Sequence, residues 1–237
     1  MSFLGDVITW FTTGSNWTGD SGIPQRLGEH LWLSFVPILI ALAIALPIGL
    51  VLGHLGRGGF LAVNVSNIGR AVPSFALLVL GQELFGLGNR AAYLALVGLA
   101  VPPIVTNTYV GIRQVDADVR EAARGMGMSG RQLLVHVEAP VALPLIMAGV
   151  RTASVQVVAT ATLAAVVGSG GLGRYIVFGL SIRDHVVTFA GALLVAVLSV
   201  LTEVTLAMAQ RAVTPGRWDR HRGQPLAPPM PSTATGM

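Results

Sequence analysis

The sequence predicts an all-α membrane protein with about five transmembrane helices. Of its 237 residues 53% are hydrophobic and only 11% charged, and the mean hydropathy is +0.70, far more apolar than a soluble domain. Several uncharged stretches are long enough to cross a bilayer. The arginines are also divided unevenly among the segments that join those stretches.

Taken in order, residues 1–30 form an extracytoplasmic segment. Its apolar piece "FLGDVITWF" is too short to cross and suits a helix lying in the interface. No basic residue precedes position 25, so the flank of a signal peptide is missing and the first apolar span is expected to stay in the mature chain. That span, residues 31–53, has 23 uncharged residues and would be about 35 Å long as a helix against a hydrocarbon core of about 30 Å. Pro37 and Pro47 lie inside it and are tolerated where neighbouring helices satisfy the freed carbonyls. Further spans are expected within 60–86, 91–112, 141–167 and 186–208, so that the transmembrane domain covers 31–210. The segments around Arg57, from 113 to 131 and from 211 to 222 hold nine arginines, against four (Arg26, Arg90, Arg174, Arg183) on the other side. The side with nine is expected to be cytoplasmic, which puts the N-terminus outside and the C-terminus inside. Residues 211–237, rich in Pro and small residues, are expected to be a disordered cytoplasmic tail.

Other classes of function are narrowed by composition. All 15 basic residues are Arg and the net charge is only +4, which argues against nucleic acid as a partner. There is no cysteine, the five histidines are scattered, and neither a metal-ligand spacing nor a paired-carboxylate motif stands out. No catalytic residue, cofactor site or metal site is therefore expected in this chain. No Walker-type Gly-Lys-Ser/Thr occurs, so ATP would belong to another subunit. "GSGGLG" at 168–173 matches a dinucleotide fingerprint formally, but it follows a membrane span instead of a β-strand. It reads better as a flexible turn at the outer mouth, an outer gate loop of Gly168, Gly170, Gly171 and Gly173.

The polar stretch between the third and fourth spans is the most informative part of the chain. In "DADVREAARGMGMSGRQLLVHVEAP" the residues 116–124 favour a helix with acids first and Arg last. Gly125 and Gly127 stop it, Ser129 and Gln132 have capping-box spacing, and a second short helix follows up to Pro140, which marks its join to the fourth span.

Glu121-Ala122-Ala123, then three residues, Gly127, nine residues and Val137-Glu138-Ala139-Pro140 resembles the cytoplasmic "EAA" motif of permease subunits in ATP-binding-cassette importers. Val and Ala stand in its ending where Ile and Leu are commonest. The resemblance implies a type I (MetI-like) permease fold with cytoplasmic coupling helices in the loop 113–140. It also implies ATPase coupling through Glu121, Ala122, Ala123, Gly127 and Pro140, with small residues for close approach and Glu121 for a polar contact or a cap. "GRAVPSFALLVL", "VPPIVTNTYVGIRQVDADVREAARGMGMS", "LPLIMAGVRTA" and "ATLAAVVGSGGLG" extend it over roughly 31–209 and look like permeases of the glycine betaine, carnitine, choline and proline osmoprotectant branch. The implied partners are two copies of a separate ATPase, a second permease, identical or paralogous, and an extracytoplasmic substrate-binding protein. A permease for methionine or another amino acid is the alternative, and a stand-alone channel or secondary transporter a more distant one.

Within the spans, Asn107 beside the Pro102-Pro103 break and Gln156, Thr160 and Thr162 in the small, hydroxyl-rich "TASVQVVATATLAAVV" are candidates to line the translocation path. The same small residues also permit close helix packing. Arg70 and Arg151 are expected near the cytoplasmic boundary, snorkelling or bridging to the EAA loop, while Glu83 and Glu203 read as interfacial residues.

Overall fold

A computed structural model describes residues 2–57, 59–60, 64 and 72–213. Arg70, the first part of the span expected within 60–86, and the tail from 214 onward lie outside the described residues. The described chain is helical. A short helix α1 (Phe3–Thr12) and a 3-10 turn (Gly14–Trp17) lead into the long α2 (Ile23–Leu55). Then come α3 (Ser74–Phe85), α4 (Asn89–Arg113), α5 (Ala117–Gly125) and α6 (Gly130–Leu133). A π turn (Leu134–Glu138) joins α6 to α7 (Ala139–Thr160), which continues as a 3-10 segment (Ala161–Val167), and α8 (Gly173–Ile182) and α9 (His185–Val213) complete the chain. Four of these stretches are long and apolar enough to span a bilayer: Ile23–Leu55, Asn89–Arg113, Gly130–Val167 and His185–Val213.

α4 is the centre of the bundle, packed by α2, α3 and α7, while α9 is peripheral, against α7, α8 and α1. Burial follows that order, with 61% of the most apolar stretch of α4 buried but 6% of that of α9. In lipid no hydrophobic drive presses helices together, so close approach of backbones has to supply the attraction. Glycines on α2 provide it: a Cβ at Gly49 would lie 2.6 Å from Cβ of Thr108, and one at Gly53 2.7 Å from Cβ of Ile112. Gly49 and Gly53 face Thr108 and Ile112 in matching i, i+4 steps, so the two helices cross with almost nothing between them. α7 meets α4 in the same way, since a Cβ at Gly149 would fall 2.6 Å from Cβ of Asn107. Ala41, Ala45, Ala100, Ala153 and Ala161 fill the shared core with Leu96, Ile104 and Val157.

The helices run through their prolines, Pro37 and Pro47 in α2 and Pro102 and Pro103 in α4, without a break. Pro140 was expected to mark the join of the second short helix to the fourth span, and α6 passes continuously into α7 there. The π turn explains why: Ala139 N–H bonds to Leu134 O, five residues back. The widened turn comes just before the proline, whose ring would otherwise press on the carbonyl four residues behind it. α2 ends at Gly56 in the left-handed conformation (φ +66°). α9 begins on Asp184, whose Oδ1 accepts from Val186 N at 2.9 Å and Val187 N at 3.1 Å.

Gly53→Leu is expected to lower bundle stability by about 1–3 kcal/mol through overpacking at the α2–α4 crossing. Gly28→Ala, with nothing within 4 Å of the added atom, should be neutral or mildly stabilising. Thermal unfolding of the two variants in lipid nanodiscs checks the contrast, and equal behaviour would contradict the crossing.

Candidate coupling hairpin and translocation face

The hairpin is built around one buried carboxylate. Glu138, in the last position of the π turn, is fully buried. His54 in the last turn of α2 donates from Nδ1 to its Oε2 at 2.5 Å. Arg120 on α5 places Nε 3.2 Å from Oε1, an ion pair without the alignment of a directed hydrogen bond. A second guanidinium nitrogen of Arg120 donates to the carbonyl of Ile112, in the last turn of α4. One carboxylate and one guanidinium thus tie together the ends of α2 and α4, the helix α5 and the start of α7. Leu133, fully buried, and Leu134 against Ile112 add an apolar anchor below them.

The two helices of the hairpin stop and start as expected. Asp116 caps α5, its side chain accepting from Asp118 N at 2.9 Å. At the other end Gly127 N bonds to Arg124 O at 2.9 Å and Met128 N to Ala123 O at 3.2 Å, with Gly127 at φ +83°. This is the Schellman pattern, and it needs a residue free to adopt the left-handed conformation. Ser129 and Gln132 form a reciprocal capping box at α6.

The five expected coupling residues divide by exposure. Glu121, Ala122, Gly127 and Pro140 are exposed, whereas Ala123 is buried at the inner face of α5. The motif's third residue therefore packs the hairpin and is closed to a partner. Glu121 caps neither helix, since Asp116 and Ser129 hold those positions. Sequence reading missed the apolar side of this surface: Val119, Ala122 and Met126 lie at i, i+3 and i+7, one exposed stripe of α5, with Met126 73% exposed at its tip.

At the opposite end of the bundle the glycine loop is pinned. Glu29 Oε2 accepts from Gly171 N at 2.7 Å and from Arg26 Nη1 at 2.8 Å. His30 Nε2 donates to Val158 O at 2.9 Å. A Cβ at Gly171, where φ is +90°, would lie 3.1 Å from the His30 ring, Gly170 abuts Glu29, and Gly173 abuts the backbone of Thr162. Gly168, also in the left-handed region at φ +84°, closes the 3-10 segment. The loop expected to be a flexible turn is thus clasped by α2. Beside it, Trp10, Arg26, Arg174, Tyr175, Phe178 and Val187 line a cavity of about 570 Å³. Trp10 meets Tyr175 edge-on at 5.5 Å, and Tyr175 donates to Ser21 O at 2.6 Å. Burial pushes the Tyr175 phenol above its ordinary pKa, with Arg26 opposing and Glu29 adding to the effect.

Of the path candidates, Asn107 sits half-buried where α4 meets α7 at Gly149, its amide donating to Pro103 O at 2.8 Å. Gln156 and Thr160 share that face of α7, at i+7 and i+11 from Gly149, and are also half-buried. Thr162 lies in the 3-10 segment and donates to Ala159 O at 2.8 Å. Three of the four therefore share one seam. Arg151 does not reach the hairpin, correcting the expected bridge: its Nε lies 3.0 Å from Glu203 Oε1 and its Nη1 donates to Gln210 Oε1 at 3.0 Å. Gln210 in turn donates to Pro144 O at 3.0 Å, answering a carbonyl inside α7. Glu203 is accordingly a partner in a cluster between α7 and α9, beyond the interfacial role its position suggested.

Residues 45–215 match the family described as the binding-protein-dependent transport system inner membrane component. The chain belongs to this permease family. It is 37% identical over 198 residues, 84% of its length and 91% of the relative's, to the glycine betaine/carnitine/choline transport system permease protein OpuCB of Bacillus subtilis. It is 34% identical over 192 residues, 80% of its length and 81% of the relative's, to the osmoprotectant import permease protein OsmY of Salmonella typhimurium. Among solved structures it resembles an inward-facing conformation of the MetNI methionine ABC transporter, with a TM-score of 0.69 and 26% identity over 81% of this chain and 96% of that one. The permease is thus a multi-pass membrane protein of the MetI-like fold, and the hairpin lies inside the family match.

Glu138→Ala is expected to destabilise the permease by about 3–5 kcal/mol, because it leaves Arg120 buried and unpaired. His54→Ala should cost less, since the Glu138–Arg120 pair survives it. Melting of both variants in nanodiscs tests the ranking, and a Glu138→Ala protein as stable as the parent would show that the carboxylate is not the tie.

Proposed function

We propose that this chain is the permease subunit of an ATP-driven importer for osmoprotectants of the glycine betaine, carnitine, choline or proline class. The observation that carries the solute class is its 37% and 36% identity to Bacillus subtilis permeases named for glycine betaine, carnitine and choline, over more than four-fifths of the chain. The hairpin is the handle by which ATPase subunits drive it. Arginine asymmetry supports a cytoplasmic hairpin and C-terminus and an N-terminus outside. Residues 1–30 then form the extracytoplasmic segment with α1 at the interface, 31–210 the transport domain and 211–237 the cytoplasmic tail.

The working assembly has two ATPase copies, a second permease, identical or paralogous, and an extracytoplasmic binding protein that selects the solute. This chain performs no bond chemistry and holds no cofactor of its own, and ATP sits on the ATPase subunits. Mechanically, Glu121 and the Val119–Ala122–Met126 stripe meet the ATPase. Gly127 sets the turn between the two short helices, and Pro140 marks the base from which α7 continues. A push on α5 passes through Arg120 and Glu138 to α2, α4 and α7 together, opening or closing the seam of Asn107, Gln156 and Thr160. Thr162 and the loop of Gly168, Gly170, Gly171 and Gly173 lie at the opposite, outer end, as its gate.

A methionine permease is the second reading, favoured by the fold match to the methionine transporter. Titrating the partner binding protein with glycine betaine, choline and methionine separates the two: methionine binding without either quaternary amine would overturn the osmoprotectant assignment. For the coupling surface, Ala122→Glu with Met126→Asp is expected to cut solute uptake on the order of tenfold while the permease still inserts and keeps its fold. Reconstituted ATPase and uptake assays read this directly, and unchanged coupled uptake would contradict the handle. Gly127→Val is a poorer probe, because it also strains the left-handed turn.

A further inference from the structure

The cavity beside the glycine loop, about 570 Å³ in volume, is walled largely by helices that do not span. α1 and α8 have 10 residues each, about 15 Å of helix against a hydrocarbon core of about 30 Å. Both pack on α9. Trp10 and Tyr175 line the cavity and meet edge-on. Such rings collect at the level of lipid headgroups, because each has an apolar body and a polar handle. The lining also contains two guanidiniums and no carboxylate. Arg26 is engaged by Glu29 at 2.8 Å, and Glu29 also accepts from Gly171 N. The Arg174 guanidinium has neither an ion-pair nor a hydrogen-bond partner among the described residues. Two arginines against one carboxylate leave one positive charge unbalanced, so the group that completes the cavity carries negative charge. Val177, Phe178 and Val187 add an apolar wall to the same space. A guanidinium in need of an anion, interfacial rings and an apolar wall together fit an amphiphile with an anionic head.

We propose that this cavity binds an anionic phospholipid of the leaflet opposite the coupling hairpin, with its phosphate on Arg174 and Arg26 and an acyl chain along Val177, Phe178 and Val187. Arg174 is the main anchor, since Arg26 already shares its charge with Glu29. The site selects by net charge. Phosphatidylglycerol brings one uncancelled negative charge to the unbalanced guanidinium, whereas phosphatidylcholine cancels its phosphate with its own ammonium. A lipid seated there fills the space between α1, α8 and the start of α9, and becomes part of the wall beside the clasped loop.

The site is independent of which solute is carried, and its test uses the assembled complex of permease and ATPase. The delipidated complex is titrated with phosphatidylglycerol and phosphatidylcholine of equal chain length, and bound lipid is counted by native mass spectrometry. Phosphatidylglycerol is expected to bind about tenfold more tightly, as one charge-assisted contact provides. Arg174→Gln should abolish that preference, whereas Arg183→Gln, outside the cavity lining, should keep it. Equal binding of the two lipids by the parent, or a preference that survives Arg174→Gln, overturns the proposal. So does a complex that binds neither lipid, the result expected if a second permease covers the cavity. Glycerol 3-phosphate bound as tightly as the lipid would make this a site for free anions and overturn the lipid assignment. A second variant leaves both charges in place: Ser181→Trp puts an indole into the cavity. It is expected to weaken phosphatidylglycerol binding at least about tenfold without lowering the melting temperature of the complex. Binding equal to the parent's in that variant overturns the proposal.

Discussion

A carboxylate with no exposure to solvent, placed where a membrane bundle meets a polar hairpin, can persist only if it is paired. Glu138 meets that requirement with His54 from α2 and Arg120 from α5, and most of what the hairpin can do follows from it. Without the pairing, α5 would hang from α4 by a short linker, and force applied to it would be lost in bending. With it, the hairpin shares the ends of three long helices. Burial makes the tie strong in one respect only: a buried ion pair adds little stability over an apolar alternative, but breaking it is costly. It acts as a constraint on geometry more than as a source of stability.

The constraint is useful only because the helices it grips are themselves tightly packed. Gly49, Gly53 and Gly149 let α2, α4 and α7 approach until an added Cβ would collide with Thr108, Ile112 and Asn107, which leaves little slack between the hairpin's attachment points and the candidate seam. α9 is different. It is mostly exposed, and its polar link to α7 is the Arg151–Glu203–Gln210 cluster. The bundle thus has a rigid three-helix centre and one peripheral helix joined to it by charge.

Much of this was legible in the sequence wherever the signal was local. Span lengths come from hydropathy, the hairpin from helix formers broken by Gly125 and Gly127, and its second start from Ser129 and Gln132, all within a few residues of one another. Pro140 marks the join with the fourth span in the sequence, but the π turn that carries the helix through it leaves no signature of its own. Long-range pairings were not legible. His54 and Glu138 are 84 residues apart, and Glu29 and Gly171 are 142 apart, and nothing in the local pattern of either partner names the other. Arg151 was expected near the cytoplasmic boundary, snorkelling or bridging to the EAA loop, while its partner on α9, Glu203, reads as an ordinary end-of-span acid, so nothing local pairs the two. Ala123 shows the limit of motif reading: a position matched to a family pattern still had to be sorted by which side of its helix it occupies.

α2 is one uninterrupted helix of 33 residues, and it carries His30 and Glu29 near one end and His54 near the other. Between His30 and His54 lie 24 residue steps, about 36 Å of rod. One end clasps the glycine loop and the other is bolted to the hairpin through Glu138. A rod gripped at both ends holds those grips at a fixed separation, and because α2 packs on α4 along Ala41, Ala45, Gly49 and Gly53, the hairpin and the loop on the far face are coupled through one stiff helix. On this geometry the two ends of the bundle share a single helix, and neither grip can shift along its axis without the other.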